Sequence, residues 1–233
     1  MTVFIVLLIL SLSLAALYVA GVIKPPLLAK TLASLAFVAL GAYSLFAPGG
    51  IGPLSTQIGW HLSHPFYVRL FCGLVAGALG DVLLELFDSK NKLFFLGVGA
   101  FFIGHVLYVA AFSYIDHSAA WIALLCAFPV AAVLTVLSAR LLTFEGPRRL
   151  ILLCYMFALS FMCAYAWTIL IRGGNTPFLL IAPGATLFLV SDTTLGLQLF
   201  AGDRLAQHRR LLGTICLITY YLAQNLIAVS VSI

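Results

Sequence analysis

Two aspartates, Asp81 and Asp192, lie in stretches of this sequence that are otherwise apolar. Carboxyl groups in such surroundings can give up, accept or relay a proton, which serves either acid–base catalysis or proton-coupled transport. Three more ionisable residues in apolar stretches are Lys30, Glu85 and His105. Because ionisable side chains are costly inside a membrane, these five residues are the first candidates for a functional site.

Polar residues recur at spacings that place them on one face of a helix. The pairs three or four residues apart are Asp81 with Glu85, His105 with Tyr108, and Tyr220 with Gln224. Most of them also have a structural explanation. Lys30 and Glu85 can extend to the membrane surface, and His105 can be a buried structural histidine. Tyr220 and Gln224 can join helices by hydrogen bonds. The two aspartates are harder to explain in this way.

Two other kinds of chemistry are disfavoured by the spacing of the residues. Zinc sites on helices usually carry paired histidines such as H-x-x-x-H, and His105 has no such partner in the sequence. Ser191 precedes Asp192, but no G-x-S-x-G turn of a serine hydrolase surrounds it. We therefore expect no metal and no organic cofactor, and Ser191 is assigned a supporting role.

The composition indicates what kind of protein must position these residues. Of the 233 residues, 64% are hydrophobic and 8% are charged, whereas about 25% of a soluble domain is charged. So few charges cannot cover a surface in water, but a helix bundle in a bilayer does not need them. The net charge of +5 is too sparse for a nucleic-acid-binding surface, so no nucleic-acid partner is expected.

The apolar stretches are long enough to cross a membrane eight times, since a spanning helix needs about 20 apolar residues. The predicted helices cover residues 2–20, 27–46, 67–87, 93–115, 119–138, 149–171, 176–201 and 210–232. No break is long enough for a second domain, so residues 1–233 are expected to form a single transmembrane bundle. The predicted fold class is all-α and integral to the membrane, with the lipid bilayer as its partner.

The basic residues predict the orientation of the bundle, because cytosolic loops carry an excess of lysine and arginine. Eight spans put Arg69 and Arg172 on the side of both termini. The opposite side carries Lys24, Lys30, Lys90, Lys92, Arg140, Arg148, Arg149, Arg204, Arg209 and Arg210. Both termini are therefore expected outside the cytosol. The helical rise then puts Asp81 roughly 10 Å, Asp192 roughly 16 Å and His105 roughly 20 Å below the cytosolic surface. We expect them to share a cavity in the cytosolic half.

A short internal similarity links the third and seventh predicted helices. Both run in the same direction and carry a small residue, an aspartate and a leucine, in Gly80-Asp81-Val82-Leu83-Leu84 and Ser191-Asp192-Thr193-Thr194-Leu195. Two four-helix halves related by an axis along the membrane normal would produce this pattern. The similarity therefore indicates a 4+4 pseudo-repeat.

Several short motifs occur in an order and at a spacing that resemble one known family. They are Gly80-Asp81-Val82-Leu83-Leu84, Phe95-Leu96-Gly97, Phe101-Phe102-Ile103-Gly104-His105-Val106-Leu107-Tyr108, Tyr155-Met156, Gly184-Ala185, Phe188-Leu189-Val190-Ser191-Asp192 and Thr219-Tyr220-Tyr221-Leu222-Ala223-Gln224. Together they resemble the YhhN-like lysoplasmalogenase family, eight-helix membrane proteins of bacteria and animals. The resemblance begins at Lys24-Pro25-Pro26, which would make Lys24 rather than Lys30 the family lysine.

The resemblance implies hydrolysis of the vinyl ether bond of lysoplasmalogens, with a lysophospholipid as substrate and a fatty aldehyde and a glycerophospho-base as products. Asp81 and Asp192 would be the acid–base pair, and His105 would orient one of them. One carboxyl is expected to keep its proton, because burial and a neighbouring carboxyl both oppose ionisation. Supporting roles would fall to Lys24, Lys30, Glu85, Tyr108, Ser191, Tyr220 and Gln224.

An alternative from a different class is a proton-coupled transporter of a small amphiphile that uses the same buried carboxyl groups. The short loops and the lack of clearly broken spans in matched halves favour the hydrolase. Pro129 and Pro183, which lie inside predicted spans, leave the transporter as an alternative. The expected location is a bacterial inner membrane rather than the endoplasmic reticulum. No feature of the sequence specifies an oligomeric state.

Overall fold

Eight long helices make up most of the part of the chain that the structure describes. This computed structural model describes residues 2–46, 65–87, 94–141, 147–174 and 176–233, and within them every side chain except those of residues 147, 148 and 202–204. The helices are α1 (Thr2–Val19), α2 (Pro26–Phe46), α3 (Pro65–Leu86), α4 (Phe94–Ile115), α5 (Ala119–Leu141), α6 (Pro147–Ile171), α7 (Phe178–Phe200) and α8 (Arg209–Ser230), with a 3₁₀ helix (Gly202–His208) before α8. All eight are long and apolar enough to cross a membrane. The predicted all-α fold of eight spans is confirmed, and the protein is a multi-pass integral membrane protein.

The helix ends lie close to the predicted ones. The largest difference is at α5, which continues to Leu141, whereas the sequence predicted an end at residue 138. Arg140 had suggested a loop at this point. A basic residue in the last turn instead stabilises the negative end of the helix dipole and can extend its charge to the membrane surface.

The two halves of the chain pack their helices in the same order. In the first half α1 packs on α2, α2 on α3 and α3 on α4, while in the second α5 packs on α6, α6 on α7 and α7 on α8. Between the halves, the packing of α4 on α6 corresponds to that of α8 on α2, whereas the packing of α8 on α1 and α3 has no equivalent of similar extent among the described residues. Two four-helix halves related by a rotation would give this order, which supports the pseudo-repeat.

Glycines allow α3 and α4 to approach each other closely. A Cβ atom at Gly73 would lie 2.3 Å from the ring of Tyr108, and one at Gly80 would lie 2.7 Å from the ring of Phe101. A Cβ atom at Gly104, on α4, would lie 3.3 Å from the Gly73 carbonyl oxygen. Since small residues let helix backbones come together in a membrane, these glycines set the positions of both aromatic rings against α3.

Helix α5 is attached to the bundle mainly through its N-terminal half. Its buried residues are Ala119, Ala123, Ala127 and Ala131, at every fourth position. Beyond Ala131 the helix contains no buried residue, and Pro129 removes a backbone hydrogen bond just before that point. The C-terminal half of α5 is therefore only loosely packed against the rest of the bundle.

A small ion-pair cluster closes the end of the bundle at the α4–α5 turn. Ser118 Oγ donates to Asp116 Oδ1 over 2.6 Å, and Arg172 Nε lies 2.9 Å from Asp116 Oδ2. The Ser118 hydroxyl and the guanidinium together hold the pKa of Asp116 below its usual value, so this carboxyl is ionised at neutral pH. On α6, Tyr165 donates to the Asp116 carbonyl oxygen over 2.9 Å. These contacts join α4, α5 and α6 at the C-terminal end of α4.

The orientation of the bundle stays a prediction, and reporter fusions at the two termini can test it. Lys90 and Lys92 lie outside the described residues, as do the side chains of Arg148 and Arg204. Both termini should be found outside the cytosol, because an even number of spans returns the chain to its starting side and the basic loops stay in the cytosol. Reporters on opposite sides would contradict the arrangement of eight spans.

Candidate active site

An open cavity lies between the helices near one end of the bundle. Its space is about 1210 Å³, including the mouth, and residues of seven helices from α2 to α8 line it. Phe94 at the start of α4, Leu141 at the end of α5 and Phe200 at the end of α7 surround the mouth. In an alternating bundle these three ends lie on one side, which is the side predicted to carry most basic residues.

The walls of the cavity are mostly leucine and phenylalanine, with a polar group of side chains in the interior. The polar and sulfur-containing lining residues are Lys30, Asp81, Ser138, Tyr155, Met156, Ser191, Asp192, Thr193, Cys216 and Tyr220. Leu137 of α5 lines the cavity and is also 46% exposed, so the loosely packed half of α5 is a thin part of the wall between the cavity and the outer surface of the bundle.

Asp81 is fixed by hydroxyl groups from two other helices. Ser34 of α2 and Tyr220 of α8 each donate to Oδ2 over 2.6 Å. Asp81 is 2% exposed, and Lys30 Nζ lies 3.8 Å from its Oδ1. Two donors and a nearby cation are what a buried carboxylate needs to remain charged.

Lys30 lies between two carboxylates rather than at the membrane surface. Its Nζ is 3.6 Å from Glu85 Oε2 as well as 3.8 Å from Asp81 Oδ1, and the residue is 8% exposed. Glu85 is one turn beyond Asp81 on α3, so the two acids and the lysine form one cluster. The surface explanation for Lys30 is therefore wrong in this structure.

A chain of three side chains leads from α4 to Asp81. Tyr108 donates to Gln224 Oε1 over 3.3 Å, and Gln224 Nε2 donates to the Tyr220 oxygen over 3.1 Å. Tyr220 then donates to Asp81. Tyr108 and Gln224 do not line the cavity, so they act on the site by orienting Tyr220.

Asp192 is fixed by a tyrosine and a histidine. Tyr155 of α6 donates to Asp192 Oδ2, and His105 Nε2 lies 3.0 Å from the Tyr155 oxygen and 3.6 Å from Asp192 Oδ2. The His105 ring packs edge-on against Phe188, with 4.9 Å between ring centroids. His105 is 1% exposed and does not line the cavity. We expected it on the cavity wall, but Tyr155 occupies that place and His105 lies behind it.

The two carboxyl groups have corresponding surroundings. Asp81 on α3 is contacted from α2 and α8, and Asp192 on α7 is contacted from α6 and α4. Ser34 and Tyr155 occupy the same position counted from the first residues of α2 and α6. Tyr220 and His105 likewise occupy the same position in α8 and α4. These shared positions are what the predicted pseudo-repeat would produce at the residues that hold the carboxyl groups.

The remaining predicted site residues fall in two places. Ser191 lines the cavity, with its Oγ 3.6 Å from Cys216 Sγ. Lys24 is exposed in the turn between α1 and α2, before the first residue of α2. The structure thus brings Lys30, not Lys24, to the carboxylates, and the expectation that Lys24 is the family lysine is not supported.

Two site residues, Ser34 and Tyr155, were not assigned to the site from the sequence, although Tyr155 belongs to one of the motifs that carry the family resemblance. Ser34 follows Lys30 by four residues, and this spacing on one helix face was the signal that could have found it. Tyr155 has apolar neighbours on both sides and is indistinguishable from a core tyrosine by pattern. The structure identifies it because its hydroxyl contacts both Asp192 and His105.

The arrangement suits proton transfer to a bound lipid. One carboxyl group is beside a lysine and two hydroxyl donors, the other is beside a phenol and an imidazole, and both line the same cavity. Within the described residues, no three histidine, cysteine, aspartate or glutamate side chains lie close enough together to hold a metal ion. The chemistry available from these side chains is acid–base chemistry.

Three known proteins that this chain resembles in sequence are each named as a lysoplasmalogenase. The chain is 33% identical over 171 residues to the lysoplasmalogenase TMEM86B of Sus scrofa, a match that covers 72% of this chain and 65% of that protein. The chain therefore spans slightly less than two thirds of that relative. It is also 29% identical over 194 residues to the lysoplasmalogenase TMEM86A of Bos taurus, covering 76% of this chain and 70% of that protein.

A third relative and a family match extend the comparison. The lysoplasmalogenase TMEM86A of Homo sapiens is 28% identical over 190 residues, which cover 76% of this chain and 70% of that protein. No solved structure matches the chain. A sequence model of the YhhN family matches residues 26–231, which include every helix from α2 to α8 and both carboxyl groups of the cavity. The chain belongs to the YhhN family.

Proposed function

We propose that this protein hydrolyses the vinyl ether bond of lysoplasmalogens inside the membrane. The observation that carries the proposal is that two carboxyl groups from different helices line one largely apolar cavity. The three relatives described above are each named as a lysoplasmalogenase, which supports the same activity for this chain.

The reaction needs an acid, an anion and one water molecule. Transfer of a proton to the alkene carbon farther from the ether oxygen leaves an oxocarbenium ion on the nearer carbon and that oxygen. Water adds to the nearer carbon and loses a proton, which gives a hemiacetal. The hemiacetal then separates into the fatty aldehyde and the alcohol of the glycerophospho-base. One water is consumed and the acid recovers its proton.

The residues of the cavity supply these needs. Asp81 and Asp192 form the acid–base pair, by the same division of roles that glycosidases use for a related cation. The apolar walls accept the alkenyl chain and exclude bulk water, which strengthens the attraction between a carboxylate and the cation. The alkenyl chain enters past the thin wall at Leu137, and the mouth at the basic end of the bundle holds the phosphate headgroup. The site then opens towards the cytosolic half of the membrane.

The transporter alternative has no comparable support. All three relatives are named as an enzyme, and the hydrogen-bonded surroundings of the two carboxyl groups suit fixed chemistry better than release of a cargo. The transporter alternative would be supported by two results together. The wild type would release no aldehyde, and variants of the two carboxyl groups would lose pH-dependent flux.

The test is to incubate the purified protein with three lipids that differ in one bond. A lysoplasmalogen should yield a fatty aldehyde, while the saturated alkyl-ether and acyl-ester lysophospholipids should remain intact. The saturated ether is the matched control, since it has no alkene carbon to protonate. In heavy water the aldehyde should carry deuterium on the carbon next to its carbonyl. No aldehyde from the lysoplasmalogen, or free fatty acid from the ester, would overturn the proposal.

A further inference from the structure

Each of the two carboxyl groups accepts the hydroxyl proton of a tyrosine at Oδ2, but the surroundings of their second oxygen atoms, Oδ1, differ. At Asp81 the direction of the tyrosine's hydrogen bond follows from Tyr108. Its hydroxyl donates to Gln224 Oε1, so Gln224 presents its amide N–H to the Tyr220 oxygen. The Tyr220 oxygen is thereby an acceptor, and its single hydroxyl proton must go to Asp81 Oδ2. This oxygen of Asp81 therefore has no proton of its own.

Two further groups favour the ionised form of Asp81. The Ser34 hydroxyl lies 2.6 Å from the same Oδ2, closer than the 2.9 Å that separates it from the Lys30 carbonyl oxygen. The Lys30 ammonium group lies 3.8 Å from the other carboxyl oxygen. A carboxyl that accepts hydroxyl protons and lies beside a cation is stabilised as the anion.

Asp192 has the opposite character. Tyr155 donates its only hydroxyl proton to Oδ2, so the Tyr155 oxygen accepts the N–H of His105 Nε2. The second carboxyl oxygen, Oδ1, has no hydrogen-bond partner among the described residues, and no lysine or arginine of that part of the chain is paired with the group. The position corresponding to Lys30 in the second half is Ile151, which carries no charge. Oδ1 is therefore the oxygen of Asp192 that can carry and release a proton without breaking a hydrogen bond to the described part of the protein.

We propose that Asp192 is the general acid that protonates the alkene carbon, that Asp81 remains the anion facing the oxocarbenium ion, and that Tyr155 is a positioning residue that orients Asp192. This assignment rests on the proposed vinyl ether hydrolysis. The C–H bond forms with the proton of Asp192, and the alkene electron pair supplies that bond. The water that adds to the cation returns a proton to Asp192. After the first step Tyr155 and His105 stabilise the new carboxylate through their hydrogen bonds.

The protonation states can be measured without turnover, by infrared spectroscopy of the full-length protein in lipid. At neutral pH the wild type should show the carbonyl stretch of a protonated carboxylic acid. Asp192→Asn should abolish this band and Asp81→Asn should retain it. Loss of the band in Asp81→Asn, with its retention in Asp192→Asn, would overturn the assignment.

A cation-binding measurement tests the role of Asp81 separately. The probe is a lysophospholipid analogue in which a protonated secondary amine replaces the vinyl ether, and the control is the neutral saturated ether. Asp81→Asn should weaken binding of the amine by about tenfold or more, the loss expected for one charged hydrogen-bonding partner. Asp192→Asn should change it little, and neither variant should affect the neutral ether. Equal loss in both variants would contradict the proposal.

Tyr155→Phe tests the positioning role. It should lower kcat while leaving KM unchanged, and it should shift the infrared band of Asp192, because that carboxyl loses its phenol donor. Tyr165→Phe is the matched control on the same helix, since its hydroxyl contacts the Asp116 carbonyl at the other end of the bundle. An unshifted band in Tyr155→Phe would overturn the positioning role. If the band and the amine binding behave as stated but no aldehyde forms, the protonation states of the two carboxyl groups are as described, while the proposed hydrolysis, and with it the role of Asp192 as general acid, fails.

Discussion

Asp81→Asn and Asp192→Asn should each lower the turnover of lysoplasmalogen by at least about 10²-fold, the loss typical of removing a general acid or base. Asparagine keeps the shape of the side chain and loses the charge or the transferable proton, so lipid binding should survive. The double variant should be little worse than the poorer single variant, because residues that act as one unit are not additive. Aldehyde release from the purified variants is the measurement.

A third aspartate provides the control for this experiment. Asp116→Asn removes a carboxylate that pairs with Arg172 at the C-terminal end of α4, away from the cavity. It should leave turnover close to that of the wild type. Unimpaired vinyl ether hydrolysis by the Asp81→Asn, Asp192→Asn double variant would refute the acid–base role of the pair.

Gly73→Ala should destabilise the bundle by about 1–3 kcal/mol, the usual range for forcing an extra carbon into a packed core. The new Cβ atom would lie 2.3 Å from the ring of Tyr108. That ring is fully buried and its hydroxyl is bonded to Gln224, so it has little freedom to move away. We expect a lower thermal unfolding temperature in detergent, together with reduced activity, because a displaced Tyr108 no longer orients Gln224 and Tyr220.

The same substitution on the neighbouring helix separates the steric effect from the change of residue type. A Cβ atom at Gly99 of α4 would meet no other atom within 4 Å. Gly99→Ala should therefore be neutral or stabilising, since alanine favours a helix by up to about 1 kcal/mol over glycine. Comparable unfolding temperatures for Gly73→Ala and Gly99→Ala would show that the α3–α4 contact is not as tight as described.

The spans and the buried acids could be predicted because each leaves a strong signal in the sequence. A run of about 20 apolar residues has few alternatives to a membrane helix, and an aspartate within such a run stands out by its cost. The same reasoning did not identify Ser34 or Tyr155, whose signals in the sequence are weaker. A serine can bond to the backbone of its own helix and a tyrosine packs like other aromatic residues. Their roles appear only when the facing helices are known.

The lysine and the histidine show a second limit of prediction from sequence. Whether Lys24 or Lys30 reaches the site depends on where α2 begins, and helix ends are the least certain part of such predictions. The depth of His105 in the membrane could be counted along α4. That depth does not specify which side chain lies between the imidazole ring and the cavity. Tyr155, from a helix distant in sequence, occupies that space.

The correspondence between the halves has a consequence for the integrity of the protein. The first half supplies Asp81 and Ser34 but depends on Tyr220 from α8, the last helix of the second half. The second half supplies Asp192 and Tyr155 and depends on α4, the last helix of the first half, for His105. Each half thus completes the other through its final helix, and neither is self-sufficient. A change that shifts either final helix affects the opposite half's carboxyl group, which ties the evolution of the two halves together.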